Sequence, residues 1–321
     1  MREGPPAPGA TLRVFRSLER ARGCFSRPVV TIGNFDGVHR GHAVILDQVR
    51  ADADHRGVAA VALTFEPHPI AVLRPQAAPK RLMRLGDRLA ALATHDLDAT
   101  VVQPFTMGFP EIEADDFVRR FIVEILDAQK ILVGHDLNFG RGRQGNVDSL
   151  VAAGIRFDFS VEVIHPVSVD GVVVHSTVIR RAVADGDVAL AAKLLGRPHV
   201  VRGRVVHGAG RGRRIGFATA NVRPRTQLVP AEGVYATRAE IDQCWFDGVT
   251  SIGTTPTFGG TESVIESHLF TDWQDFYARP IRLRFYDRIR EQRKFESPEA
   301  LRRQIELDVE SARSILGRMP K

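Results

Sequence analysis

In the run Gly33-Asn34-Phe35-Asp36-Gly37-Val38-His39-Arg40-Gly41-His42, two histidines stand three positions apart behind a glycine-bearing turn. An apolar run, Val29–Ile32, precedes them and a helical pattern follows. Glycines let a backbone approach phosphate oxygens. The start of a helix adds positive potential for anions, and residues i and i+3 share a helix face. Two imidazoles so placed can donate hydrogen bonds to oxygens that gain charge during nucleotidyl transfer. That reaction asks for positioning and charge stabilisation rather than a covalent nucleophile. Gly33, Asn34, Phe35, Asp36, Gly37, His39 and His42 are therefore candidate nucleotide contacts, although the four-residue HxGH core alone also fits ordinary surface histidines.

Farther along, His175-Ser176-Thr177-Val178-Ile179-Arg180 offers two hydroxyls and a guanidinium, which suit a polyphosphate. The plain alternative is a helix capped by Ser176 or Thr177. Another cluster runs His207-Gly208-Ala209-Gly210-Arg211-Gly212-Arg213-Arg214-Ile215-Gly216-Phe217-Ala218-Thr219-Ala220-Asn221. Its glycines and arginines form a flexible, anion-attracting loop, so Gly210, Arg211, Gly212 and Gly216 are candidate anion contacts. Thr219 and Asn221 supply neutral oxygens suited to Mg²⁺, which prefers oxygen ligands and keeps several waters. Taken by itself, the stretch also fits a basic hairpin loop.

The string from Thr31 to His42 resembles the HxGH nucleotidyltransferases and, within them, the N-terminal half of bacterial FAD synthetases. Thr64-Phe65-Glu66-Pro67-His68-Pro69 is similar to that family's substrate-loop segment. Val133-Gly134-His135-Asp136-Leu137-Asn138-Phe139-Gly140 is similar to its flavin-side loop. The resemblance thus implies flavin contacts at Pro67, His68, Asp136 and Asn138, and ATP-phosphate contacts at Ser176, Thr177 and Arg180. The His207–Asn221 stretch resembles the flavokinase signature, with Ala218 where that signature usually has proline. This resemblance makes Gly210, Arg211, Gly212 and Gly216 contacts to ATP. Ile252–Gly259 and Val264–Phe270 continue the match, and the resemblance makes Glu266 the general base that takes the proton from the riboflavin 5′-hydroxyl. The strand pattern alone also fits an outward-facing glutamate in a salt bridge. Phe276-Tyr277 and Ile289–Phe295 extend the match, with Ala278 where glycine is common. The resemblance spans Thr11–Leu316. It implies a bifunctional enzyme that phosphorylates riboflavin to FMN and adenylylates FMN to FAD, with ATP as co-substrate and Mg²⁺ as cofactor.

These motifs need elements to hold them. Strand-like runs at Val29–Ile32, Val58–Thr64, Thr100–Val102 and Lys130–Val133 alternate with helical stretches at Gly41–Arg50, Leu85–Leu92 and Asp115–Leu126. That alternation predicts a doubly wound parallel sheet, a Rossmann-like α/β domain over 11–196, with 1–10 a disordered tail. Asp187–Leu195 reads as a helix stopped by Gly196 and Pro198. Val200–Val206, Gly233–Ala239, Val249–Ile252, Val264–Phe270 and Ile281–Phe285 then predict an antiparallel β-barrel over 197–321. A terminal helix follows, with Ser297 as N-cap, Pro298 at the first helical position, and Leu301, Ile305, Val309, Ala312 and Ile315 on the packing face.

Composition sets bounds. Hydrophobic residues are 44% and charged residues 26% of 321, a globular profile without an apolar run able to cross a bilayer. The two cysteines, Cys24 and Cys244, lie far apart, which argues against a disulfide scaffold or zinc site and for a reducing cytoplasm. Each is expected to be buried or semi-buried. A net charge of +6, from basic residues spread along the chain with local density at Arg202–Arg214 and Arg279–Lys294, fits polyanionic small molecules rather than nucleic acid, since no aromatic-rich RNA-binding signature accompanies it. The expected partners are small-molecule substrates, with neither nucleic acid nor membrane, in a monomer or weak homo-oligomer. Two rivals stand beside this reading: an adenylyltransferase with an impaired kinase barrel, motivated by Ala218, and a non-catalytic flavin- or RNA-binding regulator.

Overall fold

The computed structural model describes residues 12–208, 216–225, 227–257, 260–271 and 275–319. The tail at 1–10 and the loop residues Gly210, Arg211 and Gly212 lie outside the described residues. The chain divides into two compact units, Met1–Pro79 with Arg84–Val174, and Lys80–Met83 with His175–Lys321.

The first unit is built on six parallel strands: β1 (Arg13–Phe15), β2 (Val29–Ile32), β3 (Ala60–Glu66), β4 (Ala99–Pro104), β5 (Lys130–Gly134) and β6 (Ser160–Ile164). Their order is β1-β4-β3-β2-β5-β6. Val30, Ile32, Val61, Leu63, Val101 and Val133 turn to one face and pack with residues of Phe117–Leu126 and of the helix Val147–Phe157. The alternate residues Val29, Ala60, Ala62 and Leu132 are also buried, as expected for parallel strands covered on both faces. Helix α1 (Arg40–Arg56) buries Ile45, Leu46, Val49 and Ala53 and ends at Gly57, whose φ of 65° suits glycine. Helix α2 (Leu85–Ala93) follows β3, and α3 (Val147–Phe157) precedes β6. Strands after β2 run outward through β3 and β4, and the chain then returns to place β5 against β2. That reversal makes the carboxyl ends of β2 and β5 the crevice where ligands bind in such sheets.

Two details differ from the sequence reading. The edge strands β1 and β6 are not among the strands read from the sequence: much of their length is exposed or half-buried, so they lack the continuous apolar run of a central strand. The helical stretch expected over Asp115–Leu126 makes one α-turn, Ala114–Phe117, and then widens to a π-helix over Val118–Ile125. The wider turn buries Val118, Phe121, Ile122 and Ile125 together.

The second unit is a closed antiparallel barrel of β7 (His199–Val206), β8 (Ala220–Pro224), β9 (Gly233–Ile241), β10 (Cys244–Thr257), β11 (Gly260–Leu269) and β12 (Pro280–Arg290), ordered β7-β8-β11-β10-β9-β12. Closure removes the exposed sheet edges. Val201, Val205, Tyr235, Ile252, Leu283 and Phe285 belong to its core, which also takes Val188. Val188 opens α5 (Val188–Leu195), capped by Asp187 and stopped by Gly196 at φ 79°. Before it, α4 spans Ser176–Asp185. The terminal helix α6 (Pro298–Gly317) starts as expected, the Ser297 side chain accepting from the Ala300 N–H. Its Ala312 and Leu316 pack with Val234, Ala236, Val249 and Tyr286.

Both cysteines are exposed, which corrects the expectation of burial: Cys24 lies in the loop after a short helix and Cys244 at the β9–β10 turn. Neither Ser176 nor Thr177 caps α4. The N-cap is His175, without a side-chain cap bond, and Ser176 is the first helical residue.

Candidate functional site

Strand β2 delivers Gly33 to a turn held by its N–H to Leu63 O at 3.0 Å. Phe35 and Val38 then take left-handed conformations, φ 48° and 36°, around Gly37 at φ 88°. Such geometry costs about 1–3 kcal/mol per non-glycine residue, most for β-branched valine. Phe35 and Val38 are buried, so packing holds the turn in this shape. The turn ends at His39, the N-cap of α1, whose Nδ1 accepts from the His42 N–H at 3.3 Å. With Nδ1 an acceptor, the neutral ring carries its proton on Nε2. The His39 and His42 rings stack at 3.6 Å and 14°, and Phe35 meets His42 edge-on at 5.2 Å. Gly41 permits this: a Cβ there would lie 3.2 Å from His39 Nδ1 and 3.5 Å from Val174 O.

The carboxyl ends of the strands beside β2 carry the flavin-side candidates. At the end of β3, Pro67 follows Glu66 through a cis peptide, and His68 caps the helix Pro69–Leu73 by accepting from the Ile70 N–H at 3.2 Å. At the end of β5, Asn138 Nδ2 donates to Asp136 O at 2.8 Å, and the Leu137 N–H donates to Gly134 O at 3.2 Å. Gly33, Asn34, Phe35, Asp36, Gly37, His39, His42, Pro67, His68, Asp136 and Asn138 therefore all follow the carboxyl ends of three adjacent strands.

Sequence reasoning missed Arg88. Its side chain is buried on α2 and donates from Nη1 to Asn34 O at 2.8 Å and from Nη2 to Phe65 O at 3.2 Å and Glu66 Oε2 at 2.8 Å. The available signal was an arginine four positions before buried Leu92, on the apolar face of a short helix.

Ser176, Thr177 and Arg180 lie in α4, in the second unit. Arg180 Nη1 donates to Ser176 Oγ at 3.3 Å, one turn apart.

In the barrel, Asn221 on β8 and Glu266 on β11 are direct cross-strand partners. Ser251 on β10 faces Glu266 from the other side. Gln292 Nε2 donates to Ser251 Oγ at 2.6 Å and to Ile252 O at 3.0 Å, so the segment after β12 is pinned beside Glu266's neighbour. Neither Ser251 nor Gln292 stood out in sequence, because isolated polar residues carry no spacing signal. A Cβ on Gly208 would overlap the Asn221 carboxamide, so the backbone there is packed against that side chain. A cavity of about 260 Å³ is lined by Gly216, Thr219, His268, Phe276 and Tyr277 among others. Asn221 and Glu266 adjoin its wall residues Ala220 and Ser267. His268 Nδ1 meets Ala218 O at 2.9 Å, and Tyr277 stacks on His207 at 3.7 Å. Ala278, where glycine was the expectation, has φ 59°.

An HxGH loop at the switch point of a parallel sheet, followed by a closed barrel with an opposed asparagine and glutamate, fits a two-unit enzyme class that handles nucleotides. The FAD synthetase family matches residues 22–178, and the riboflavin kinase family matches 195–316. A bifunctional riboflavin kinase/FMN adenylyltransferase of Haemophilus influenzae is 39% identical over 307 residues, 95% of this chain and 100% of its own length. Its namesake from Escherichia coli (strain K12) is 37% identical over 309 residues, 95% of this chain and 97% of its own. A solved structure titled a macrolide-efflux protein from Streptococcus pneumoniae is 31% identical, with a TM-score of 0.86 over 95% of this chain and 99% of its own. This chain belongs to the bifunctional riboflavin kinase/FMN adenylyltransferase family. Among the described residues no helix is long and apolar enough to cross a membrane.

Proposed function

We propose that the barrel unit transfers the γ-phosphoryl group of ATP to riboflavin, giving FMN. The sheet unit then transfers the adenylyl group of a second ATP to FMN, giving FAD and pyrophosphate. The observation that carries this reading is the presence, in one chain, of a histidine-bearing loop at the sheet's switch point and an asparagine–glutamate pair on the barrel wall.

In the barrel, Glu266 takes the proton from the riboflavin 5′-hydroxyl as that oxygen attacks phosphorus. Thr219 and Asn221 are the residues that would hold Mg²⁺, and their neutral oxygens fit an ion that keeps waters and phosphate oxygens as its other ligands. The Gly208 backbone packed against the Asn221 carboxamide keeps that side chain in one place. Bound Mg²⁺ supplies neutralisation of charge on the ATP phosphates. Gly210, Arg211, Gly212 and Gly216 are assigned to the same nucleotide on motif alone.

In the sheet unit, an FMN phosphate oxygen attacks the α-phosphorus of ATP and pyrophosphate leaves. His39 and His42 steady the charge on the transferring group, and Gly33, Asn34, Phe35, Asp36 and Gly37 shape the phosphate turn. Pro67, His68, Asp136 and Asn138 belong to the flavin side. Assignment of Ser176, Thr177 and Arg180 to the ATP phosphates rests on motif order. The adenylyltransferase domain is placed at 11–196 and the kinase domain at 197–321, in a cytoplasmic monomer or weak homo-oligomer without nucleic-acid or membrane partners.

The Ala218 carbonyl meets His268 Nδ1 at 2.9 Å, a contact that supports a held backbone next to Thr219 without the usual proline. Product chromatography after incubation with riboflavin, Mg²⁺ and ATP tests the reading. FMN followed by FAD is expected. FAD from supplied FMN but no FMN from riboflavin selects the impaired-kinase alternative, and neither product sinks both.

A further inference from the structure

We propose that Arg88 is a positioning residue for adenylyl transfer, fixing the nucleotide-side turn against the flavin-side segment; this rests on the functional reading above. The side chain is 3% exposed, and its planar guanidinium reaches the turn after β2 and the last residues of β3 at once. Nη1 donates to Asn34 O at 2.8 Å, inside the turn that leads to His39. Nη2 donates to Glu66 Oε2 at 2.8 Å and Phe65 O at 3.2 Å, immediately before Pro67 and His68. Thr64 Oγ1 donates to the same Asn34 carbonyl at 3.3 Å, so that oxygen is gripped from both β3 and α2.

Arginine suits this task and lysine does not. Five donors in a rigid fork can meet three acceptors with fixed mutual geometry, whereas an ammonium is a point charge on a flexible stem. Stability alone gives little reason for a charge here, because a well-packed apolar replacement of a buried ion pair is often neutral or stabilising. The bonds go instead to the turn that leads to His39 and to the end of β3 that leads to Pro67 and His68, the two segments that must present ATP and FMN to each other. In-line attack tolerates little error: a misplacement of about 1 Å can lower the rate about 100-fold.

The test uses the full chain and its two reactions, with the kinase half as an internal control. Arg88→Met and Arg88→Lys are assayed for FAD formation from FMN and ATP, for riboflavin phosphorylation, and for thermal unfolding. The expected result is a kcat for FAD formation about 100-fold lower in Arg88→Met and about 10-fold lower in Arg88→Lys, by the same misplacement argument. KM for each substrate should change far less, and kinase turnover should be unchanged. A merely structural role predicts the opposite split: a lower unfolding temperature, with FAD formation per folded molecule unchanged. That outcome overturns the proposal, as does equal loss of both activities. Should Arg88→Met fail to fold, Glu66→Gln carries the test, with a lower kcat for FAD formation expected and an unchanged one overturning the proposal. Failure of the wild-type chain to make FAD would instead remove the functional reading itself.

Discussion

Asn221 and Glu266 stand directly opposite each other on the antiparallel pair β8–β11, so a neutral oxygen donor and a carboxylate are held one cross-strand spacing apart. Residues so opposed have Cβ atoms about 5 Å apart. Such a pair can serve a polyphosphate with its counter-ion and the attacking hydroxyl together. Barrel closure fixes both strands, so the spacing does not depend on a mobile loop.

Gly208 supports this pair from outside the strands. Gly208→Ala puts a methyl group into the space of the Asn221 carboxamide. The substitution should lower riboflavin phosphorylation about 100-fold through displacement of Asn221 and leave FMN adenylylation unchanged. Separate rate assays from riboflavin and from FMN check this, and unchanged phosphorylation would remove the role given to Asn221.

The corresponding glycine in the sheet unit is Gly41. Alanine there favours the helix by about 1 kcal/mol, but its Cβ would sit 3.2 Å from His39 Nδ1 and 3.3 Å from Cε1. The imidazole is the softer neighbour and should move. Gly41→Ala is therefore expected to slow FAD formation from FMN about 10-fold, with kinase turnover intact. Steady-state rates on the two substrates, together with a melting curve, test it.

Tyr235 gives the barrel a pH dependence. Its hydroxyl donates to Ala231 O at 2.6 Å, and burial pushes its pKa from 10.0 up to about 12. The unfolded chain loses this proton first, so the contribution is complete below pH 10 and falls away as pH rises towards 12. Tyr235→Phe should cost about 1 kcal/mol at neutral pH through the lost hydrogen bond. It should also lose less stability than wild type on going from about pH 8 to about pH 11. Urea unfolding at both pH values measures the difference, and parallel losses in the two proteins contradict it.

Asp308 is the polar residue inside the packing face of α6, at 2% exposure. It accepts from Arg290 Nε at 2.9 Å and Nη2 at 2.7 Å, and from Gln304 Nε2 at 2.7 Å. Asp308→Ala leaves the Arg290 charge half-buried against apolar surface. A loss of about 3 kcal/mol follows, measurable by denaturant unfolding, whereas a change below about 1 kcal/mol would place the pair among surface ion pairs.

Central strands, the start of α6, the stop of α5 and the order of motifs were legible in the sequence because their signals are local, whereas the Ser176 or Thr177 cap was not, since α4 begins one residue earlier behind His175. The apolar run Val29–Ile32, the Ser297-Pro298 start of α6 and the Gly196 stop all depend on neighbouring residues. The π-turns after Phe117 were not legible, because they answer to how Phe121 and Ile125 meet the sheet. Arg88 was missed for the same reason: its acceptors are 54 residues away at Asn34 and 22 away at Glu66. Burial of Cys24 and Cys244 was misread from residue type, since a thiol in a turn stays exposed whatever its preference. Ser251 and Gln292 come beside Glu266 only because β10 brings Ser251 opposite it.

The division of labour between the two units is tested most directly by product chromatography on a pair of variants. His39→Ala supplied with riboflavin and Mg-ATP should accumulate FMN without FAD. Glu266→Gln should make no FMN from riboflavin yet convert supplied FMN to FAD at the wild-type rate. If both variants lose the same step, or neither loses any, the two-site account is wrong.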